Sequence, residues 1–248
     1  MRQYLLSQLL ILFIFIGCNS SEKEVLTIAA ASNMQFVLQE IVNEFKIEKN
    51  IKCNLITASS GKITAQIEAG APYDIFISAN AKYPEYLKKN AVIQLQPKTI
   101  AFGKLVAFSN KELKSPLVDY LISTEVKKIA LPNPKTAPYG EIAKQALENL
   151  KIYTRIKSKL VYGENVSQTN QFVISGAADV GFTSKSTIFS KSLKFNKQQW
   201  TEINDTLYKS PEHHLVILNS RDNTKQFEAF LQTEKAKQIL VNYGYELP

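Results

Sequence analysis

Residues 27–35 read TIAAASNMQ, a run of small apolar residues that stops at Ser32 and Asn33, just before a helical pattern. The run is typical of a buried strand, and apolar residues spaced three and four apart over 37–45 predict the helix that follows. Ser32 and Gln35 fit a Ser-x-x-Gln capping box at the start of that helix. This stretch therefore predicts a strand that leads directly into a helix, with free N–H groups at the junction.

The alternation of strand and helix continues along nearly the whole chain. The strand-like stretches are IKCNLITA, YDIFISA, KLVAFSN, KKIALPN, KLVYG, ADVGFTS and HHLVILN, and the later helical patterns include residues 140–150, 166–175 and 223–241. This alternation predicts an α/β fold with a mainly parallel sheet. No repeat or Pro/Gly-rich linker marks a boundary, so two lobes, if present, are joined by ordered strands.

Charge and composition exclude several classes of site. The net charge is +8, but the lysines are scattered, which favours a solvated basic surface and argues against a nucleic-acid partner. His213 and His214 are adjacent in a strand, so their side chains point to opposite faces and we predict structural roles for them. Cys53 shares its parity with Ile51 and Leu55, which predicts a core position in a strand.

The N-terminus has the pattern of an export signal. Arg2 precedes an apolar run over 9–16, which is shorter than the ~20 residues of a membrane-spanning helix. With Cys18 after it, the run resembles a bacterial lipoprotein signal. We predict a signal peptide over 1–17, a lipid anchor at Cys18, a tether over 18–23, and a location on the periplasmic or cell-surface side of a bacterial membrane. The alternative is an ordinary secretory signal with a chance cysteine.

Four loops share one pattern, in which a strand ends at small or polar residues that begin a helix. The candidate residues are Ser32 with Gln35, Ser59 and Ser60 before Gly61, Thr136 or Ala137 before Pro138, and Asn165 with Gln168, which would make Val166 the first helical residue. Helix N-termini at the carboxyl ends of strands bind anions. Capping alone explains any single loop. Four such loops, two in each half of the chain, make a shared oxyanion site a serious hypothesis.

The same loops carry a family resemblance. The motifs AAASNM, QIEAGAPYDIFISA, NPKTAPYG and GENVSQT resemble those of the periplasmic molybdate-binding proteins of ABC transporters, and the similarity covers essentially the whole chain after the signal. The resemblance implies a two-lobed periplasmic-binding-protein fold with the ligand cleft between the lobes, each a mainly parallel sheet flanked by helices. Lobe I is expected at 24–102 and 211–248 and lobe II at 103–210, with crossings near Gly103 and Pro211.

The resemblance also implies the ligand set. The family's oxyanion ligands fall on Ser32, Asn33, Ser60, Tyr139 and, through its backbone N–H, Val166. Many members instead bind through a tyrosine at the position of Ser184, so Ser184 is in doubt as a ligand here. The implied ligand is molybdate or tungstate, held as an oxyanion with no direct metal-cation ligand, no cofactor and no catalysis. The implied partners are ABC-transporter permease subunits, and the receptor is expected to be a monomer.

Elementary chemistry agrees with a neutral ligand set. Hydrogen bonds to charged groups contribute ~1.5–3 kcal/mol each, so several neutral donors can hold a dianion. The set contains no carboxylate to accept the proton that phosphate carries, which argues against phosphate. Two alternatives stay open: a receptor for sulfate or another tetrahedral oxyanion, and a hydrolase on the same fold that uses Asp74 as its catalytic acid. The other interpretation of Asp74 is that it makes a structural bond near the lobe interface. Lys62 and Glu164 are expected on the solvated surface, and Trp200 has no assigned role.

Overall fold

The computed structural model describes residues 25–248, and within that range the strands form two five-stranded sheets. The signal peptide, the lipidated Cys18 and the tether predicted for 1–23 lie outside the described residues. No helix in the described part is both long enough and apolar enough to cross a bilayer.

The first sheet has the strand order β2-β1-β3-β10-β4. Its strands are β1 (Leu26–Ala31), β2 (Cys53–Ala58), β3 (Ile75–Ser78), β4 (Lys98–Phe102) and β10 (Glu212–Ile217). β1 pairs in parallel with β2 and β3, whereas β10 runs antiparallel to β3 and β4. Four strands therefore share one direction and only β10 opposes them.

The second sheet repeats this arrangement with the order β7-β6-β8-β5-β9. Its strands are β5 (Leu105–Phe108), β6 (Ile129–Pro132), β7 (Leu160–Gly163), β8 (Val180–Ser184) and β9 (Trp200–Glu202). β6 is parallel to β7 and β8, and β5 is antiparallel to β8 and β9. Both sheets are mainly parallel and flanked by helices, so the predicted α/β class is confirmed.

The helices fill the connections between strands. The α-helices of the described part are α1 (Gln35–Lys49), α2 (Ser60–Glu68), α3 (Lys82–Lys89), α4 (Leu117–Ile122), α5 (Pro138–Asn149), α6 (Tyr153–Ile156), α7 (Val166–Ile174), α8 (Lys185–Ile188), α9 (Asp222–Leu231) and α10 (Glu234–Asn242). Short 3₁₀ turns cover Ser32–Met34, Lys157–Lys159, Lys197–Gln199 and Asp205–Leu207. The predicted strands and helices occur in the predicted order, and β4, β9 and the short helices α4, α6 and α8 are additional to them.

The core of the first sheet shows why α1 forms where it does. Its apolar residues at helical spacing are all buried, and Phe45 meets Phe227 edge to face at 5.1 Å between ring centroids. α1 ends at Asn50, which adopts φ 54°, a left-handed conformation that asparagine tolerates. Asn50 donates its N–H to the Lys46 carbonyl at 2.9 Å, which closes the last turn.

The single helix predicted over 223–241 is wrong, because two helices occupy this segment. α9 ends at Leu231 and α10 begins at Glu234. Thr233 caps α10, since its Oγ1 accepts the Ala236 N–H at 3.3 Å. Both helices contribute apolar residues to the same core, so the hydrophobic pattern continues across the break.

The chain passes between the two sheets twice. β4 ends at Phe102 and β5 begins at Leu105, so Gly103 lies on the first crossing, and Pro211 immediately precedes β10 on the second. The Gly103 N–H donates to the Pro211 carbonyl at 3.0 Å, which ties the crossings together. We use lobe I and lobe II for the first and second sheets with their helices. Their strands fall within the predicted ranges, and the exact boundaries stay a prediction.

Candidate functional site

The four predicted loops meet between the lobes. The Val166 N–H at the start of α7 donates to Ser32 Oγ at 3.1 Å, and the Gly61 N–H at the start of α2 donates to the Thr136 carbonyl at 2.9 Å. Each contact joins one lobe to the other. The predicted ligand residues are all buried, with at most 5% of their surface exposed: Ser32, Asn33, Ser60, Tyr139 and Val166. The lobes are therefore closed over this region.

The first loop does not form the predicted capping box. Ser32 begins a 3₁₀ turn, which delays α1 until Gln35, so Gln35 is the first residue of the helix and not its third. Ser32 Oγ instead accepts from Val166, and Gln35 Oε1 accepts from the Ser167 hydroxyl at 2.9 Å. Both side chains thus bind lobe II and leave the N–H groups of their own turn uncapped.

The side chain of Asn33 is held inside the protein. Its Nδ2 lies 2.7 Å from His213 Nε2 and donates to the Tyr245 hydroxyl at 3.0 Å. The backbone carbonyl of Asn33 accepts from the Ser186 hydroxyl at 2.8 Å. The amide protons are used in these contacts, so the backbone N–H is the donor that Asn33 can offer to a ligand. The role of Asn33 as a ligand stays a prediction.

The second loop combines a used and an unused hydroxyl. Ser60 Oγ accepts the Ala79 N–H at 3.1 Å, whereas the buried Ser59 Oγ has no hydrogen-bond partner among the described residues. A Cβ on Gly61 would lie 2.7 Å from the Tyr83 hydroxyl oxygen and 3.0 Å from the Thr136 carbonyl oxygen. Only glycine permits this approach of lobe II to the start of α2.

The third loop begins α5 with Pro138, as predicted, after Ala137. Tyr139 follows, and its buried hydroxyl has no hydrogen-bond partner among residues 25–248. A Cβ on Gly103 would lie 2.2 Å from that hydroxyl oxygen, so the ring packs directly against the first crossing. Burial raises the pKa of Tyr139 well above 10, which keeps the hydroxyl neutral.

The fourth loop forms half of its predicted capping box. Asn165 Oδ1 accepts the Gln168 N–H at 3.0 Å, which caps α7. Gln168 Oε1 accepts the Glu164 N–H at 2.6 Å, one residue before the position that a capping box requires. The Val166 N–H is left to point across the cleft to Ser32. The arrangement provides a helix N-terminus aimed at the opposite lobe.

Charged residues surround the site without entering it. Lys62 Nζ lies 2.5 Å from Glu164 Oε1, and both side chains are about half exposed. Lys191 Nζ lies 2.9 Å from Glu40 Oε2. These pairs join lobe II to lobe I at the surface. The sequence suggested solvated positions for Lys62 and Glu164 but gave no sign that they pair.

An open cleft of about 520 Å³ lies between the lobes beside the crossings. Its walls include Lys82, Glu85, Glu141, Lys144 and Lys209, so charges of both signs face it. None of the five predicted ligand residues lines it. Pro138 of the third loop does line this opening, so the cleft adjoins the buried loops, and its mixed lining favours no single sign of ligand charge.

Sequence reasoning missed the polar groups beneath the first loop. Ser184 Oγ lies 2.9 Å from Ser186 Oγ and 3.1 Å from Thr187 Oγ1 in a buried hydroxyl cluster. Through Ser186 this cluster reaches Asn33, which has His213 and Tyr245 as its other partners. The only sequence signal was the position of His213 beside the predicted crossing at Pro211.

Asp74 and Trp200 both make contacts that are structural. Asp74 precedes β3 at the amino edge of its sheet, where its carboxylate pairs with Arg221 and accepts the Thr27 N–H at 2.8 Å. The predicted position near the lobe interface is wrong, because the cleft faces the carboxyl ends of the parallel strands. Trp200 packs edge to face on Phe189 at 5.9 Å between ring centroids.

Cys53 and the histidines show no reactive or metal-binding arrangement. Cys53 lies in β2, and burial raises the pKa of its thiol to about 11, so the thiol is protonated at neutral pH. Burial lowers the pKa of His213 to about 3, so its ring is neutral. Among residues 25–248 there is no group of three His, Cys, Asp or Glu side chains that could hold a metal ion.

The chain is similar to known proteins over nearly its whole described length. Residues 26–246 match the family model described as bacterial extracellular solute-binding protein. The chain is 31% identical over 240 residues to the molybdate-binding protein ModA of Azotobacter vinelandii, with 94% of this chain and 93% of that protein covered. It is 28% identical to the putative ABC transporter substrate-binding lipoprotein YvgL of Bacillus subtilis, with 92% of each covered.

Solved structures agree. The periplasmic molybdate-binding protein of Azotobacter vinelandii matches with a TM-score of 0.85 at 30% identity, covering 90% of this chain and 99% of that one. The sulfate-binding protein SubI of Mycobacterium tuberculosis shares the fold at a TM-score of 0.70 and 12% identity, covering 90% of this chain and 86% of that one. The chain therefore belongs to the bacterial extracellular solute-binding proteins and is ModA-like within them.

Proposed function

We propose that this chain captures molybdate or tungstate outside the cytoplasm and delivers it to an ABC permease. The observation that carries the proposal is the contact of Val166 N–H with Ser32 Oγ at 3.1 Å. It places the helix N-terminus of α7, whose Val166 N–H is not used by the Asn165 cap, against a hydroxyl of lobe I in buried surroundings. The similarity to proteins named molybdate-binding protein ModA supports this choice of anion.

The donors suit a fully deprotonated oxyanion. An anion oxygen is a stronger acceptor than the Ser32 hydroxyl, so it would take the Val166 N–H and leave the hydroxyl to donate as well. Donors from both lobes are satisfied together only when the lobes are closed. Binding would therefore favour the closed arrangement, because a ligand shifts a conformational equilibrium by its differential affinity for the two states.

Delivery and anchoring belong to the same proposal. The permease subunits would recognise the closed outer surface, since the buried anion itself is out of reach. A lipid on Cys18 would hold the receptor at the bilayer, and the name of the similar Bacillus subtilis lipoprotein supports such an anchor. The chain would act as a monomeric receptor, without catalysis and without a cofactor.

The alternatives make different demands. Phosphate carries a proton near neutral pH, and none of the five ligand residues is a carboxylate that could accept it. Sulfate is a smaller dianion, and only the size of the closed site would exclude it. A hydrolase would need another acid, because Asp74 is engaged with Arg221 at the far edge of the sheet.

Thermal melting of the mature chain with four anions tests the proposal. Molybdate and tungstate at about one hundred times their Kd should raise the melting temperature by about 5–10 °C. Sulfate and phosphate at the same concentration should leave it unchanged. Equal stabilisation by sulfate would assign the receptor to sulfate, and no shift with any of the four anions would refute oxyanion capture.

A further inference from the structure

His213 lies beside the second crossing between the lobes, two residues after Pro211. It is the second residue of β10 and is fully buried. Its Nε2 lies 2.7 Å from Nδ2 of Asn33, which is 180 residues earlier in the chain. An imidazole at the crossing therefore contacts a loop of the proposed anion site.

The remaining partners of Asn33 form a closed ring of hydrogen bonds. Asn33 Nδ2 donates to the Tyr245 hydroxyl at 3.0 Å, and Tyr245 donates to the Ser186 hydroxyl at 3.0 Å. Ser186 then donates to the Asn33 carbonyl at 2.8 Å. The Tyr245 hydroxyl also lies 3.3 Å from the Asn33 carbonyl, and the second amide proton of Asn33 goes to His213. Ser186 belongs to lobe II, so the ring is complete only while the lobes are closed.

His213 is suited to accept that proton. Burial lowers its pKa to about 3, although the nearby carbonyls of Ala101 and Pro211 oppose the lowering. The neutral ring carries one proton, and the contact with Asn33 Nδ2 requires Nε2 to be the bare nitrogen. A neutral imidazole in this tautomer is an acceptor with a fixed direction.

The imidazole ring of His213 also packs near the third loop, which belongs to lobe II. Its centroid lies 6.3 Å from that of Tyr139 and 5.1 Å from that of Tyr245, the latter edge to face. A Cβ on Gly103 would lie 3.0 Å from His213 Cε1. His213 is thus packed against both crossings and against two of the proposed ligand residues, Asn33 and Tyr139.

We propose that His213 is a positioning residue of the anion site. From the crossing it holds the side-chain amide of Asn33, and this fixes the backbone N–H of the first loop toward the ligand when Ser186 closes the ring. The inference rests on the proposed function, because it assigns His213 a part in anion affinity.

Two matched substitutions on one strand test this role. His213→Leu removes the acceptor, and His214→Leu changes the neighbouring residue, whose ring points to the other face. Calorimetry with molybdate should give at least about tenfold weaker binding for His213→Leu, because a buried donor is left unpaired. His214→Leu should stay within about threefold of wild type. His213→Gln should also stay within about threefold, since its Oε1 accepts near the position of Nε2.

The result that overturns the proposal is wild-type affinity in His213→Leu, or equal losses in folded His213→Leu and His213→Gln. If His213→Leu does not fold, His213→Asn takes its place, because its oxygen lies near the Nδ1 position and leaves Asn33 unpaired. This variant too should lose at least about tenfold in affinity.

A second readout separates this inference from the proposed function. In the anion-free protein, the side-chain amide NMR signals of Asn33 should move in His213→Leu and return toward wild type in His213→Gln. Unmoved signals would overturn the hold of His213 on Asn33. If the wild type binds neither molybdate nor tungstate, the proposed function fails, and the amide signals still decide whether His213 fixes Asn33.

Discussion

Tyr139 offers two donors, and its surroundings favour the backbone one. Its hydroxyl is buried against Gly103 without a hydrogen-bond partner in the described part of the chain, while its N–H lies in the first turn of α5. We expect Tyr139→Phe to keep molybdate affinity within about threefold and to leave the melting temperature unchanged or higher, because no hydrogen bond is lost. A tenfold loss in calorimetry, with the fold intact, would assign the anion to the hydroxyl.

The buried, neutral His213 should make the folded protein less stable in acid. Its pKa is about 3 in the folded chain against an ordinary value of 6.5. The unfolded chain therefore binds a proton first, so the stability from the neutral ring is full above pH 6.5 and is lost as the pH falls toward 3. Tyr139 and Tyr245, whose rings face His213, stay neutral in this range because burial raises their pKa.

Urea unfolding of the wild type and His213→Gln between pH 7 and 4 measures this effect. One such group contributes a slope of up to about 1.4 kcal/mol per pH unit. The free energy of unfolding should fall less steeply with acid in the variant than in the wild type. Parallel pH profiles would show that His213 does not become charged on unfolding in this range.

Local pattern found Ser32, Ser60 and Val166 because each stands at the start of a helix. It could not find the surroundings of Asn33, whose partners His213 and Tyr245 lie 180 and 212 residues further along the chain. Local spacing reports which residues share a turn or a face. It carries no information on contacts that form only when distant strands pack together.

The start of α2 makes a matched comparison of two serines. Ser60 Oγ accepts the buried Ala79 N–H, whereas Ser59 Oγ has no hydrogen-bond partner among the described residues. Ser60→Ala should lower the free energy of unfolding by about 1–3 kcal/mol, because it leaves that N–H unpaired, and should also weaken molybdate binding. Ser59→Ala is the control and should change stability little.

Melting and calorimetry on both variants read these effects separately. Unchanged affinity in Ser60→Ala would leave Ser60 with a structural role alone. A larger loss of stability in Ser59→Ala than in Ser60→Ala would contradict the hydrogen-bond assignment at the start of α2.

The sequence predicted the long helices, the inner strands and two of the four edge strands, β2 and β7. β1, β3, β6 and β8 are buried runs with clear apolar patterns, whereas the edge strands β4 and β9 were not indicated. β9 has three residues, none fully buried, so no alternation can mark it. The break between α9 and α10 was hidden because both helices bury residues in one core.

Buried hydrogen bonds and exposed ion pairs both join the two lobes. We expect the exposed ion pairs to contribute little to the free energy of closure. The Lys62 and Glu164 side chains are half exposed, and such pairs contribute about 0–1 kcal/mol. Lys62→Ala should therefore weaken molybdate binding by less than about fivefold. Lys191→Ala removes the ion pair with Glu40 and should weaken molybdate binding to a similarly small extent. A tenfold loss in either variant would make surface charge a main determinant of closure.

The motifs predicted the two-lobed architecture, but they did not predict that the lobes are closed. Closure depends on contacts such as Val166 with Ser32, which are 134 residues apart. The sequence placed both residues at helix starts and at the carboxyl ends of strands. How closely the lobes approach depends on Gly61 and Gly103, where any side chain would push the opposite surfaces apart.

Binding of the anion by backbone N–H groups can be measured with Val166→Pro. Val166 is the first residue of α7, where proline fits, and Asn165 before it is extended at φ −154° and ψ −178°. The substitution removes the N–H and keeps the helix, and Val166→Ala is the control that retains the N–H. Calorimetry should show at least about tenfold weaker molybdate binding for Val166→Pro and near wild-type binding for Val166→Ala. Wild-type affinity in folded Val166→Pro would contradict an anion site built on this helix start.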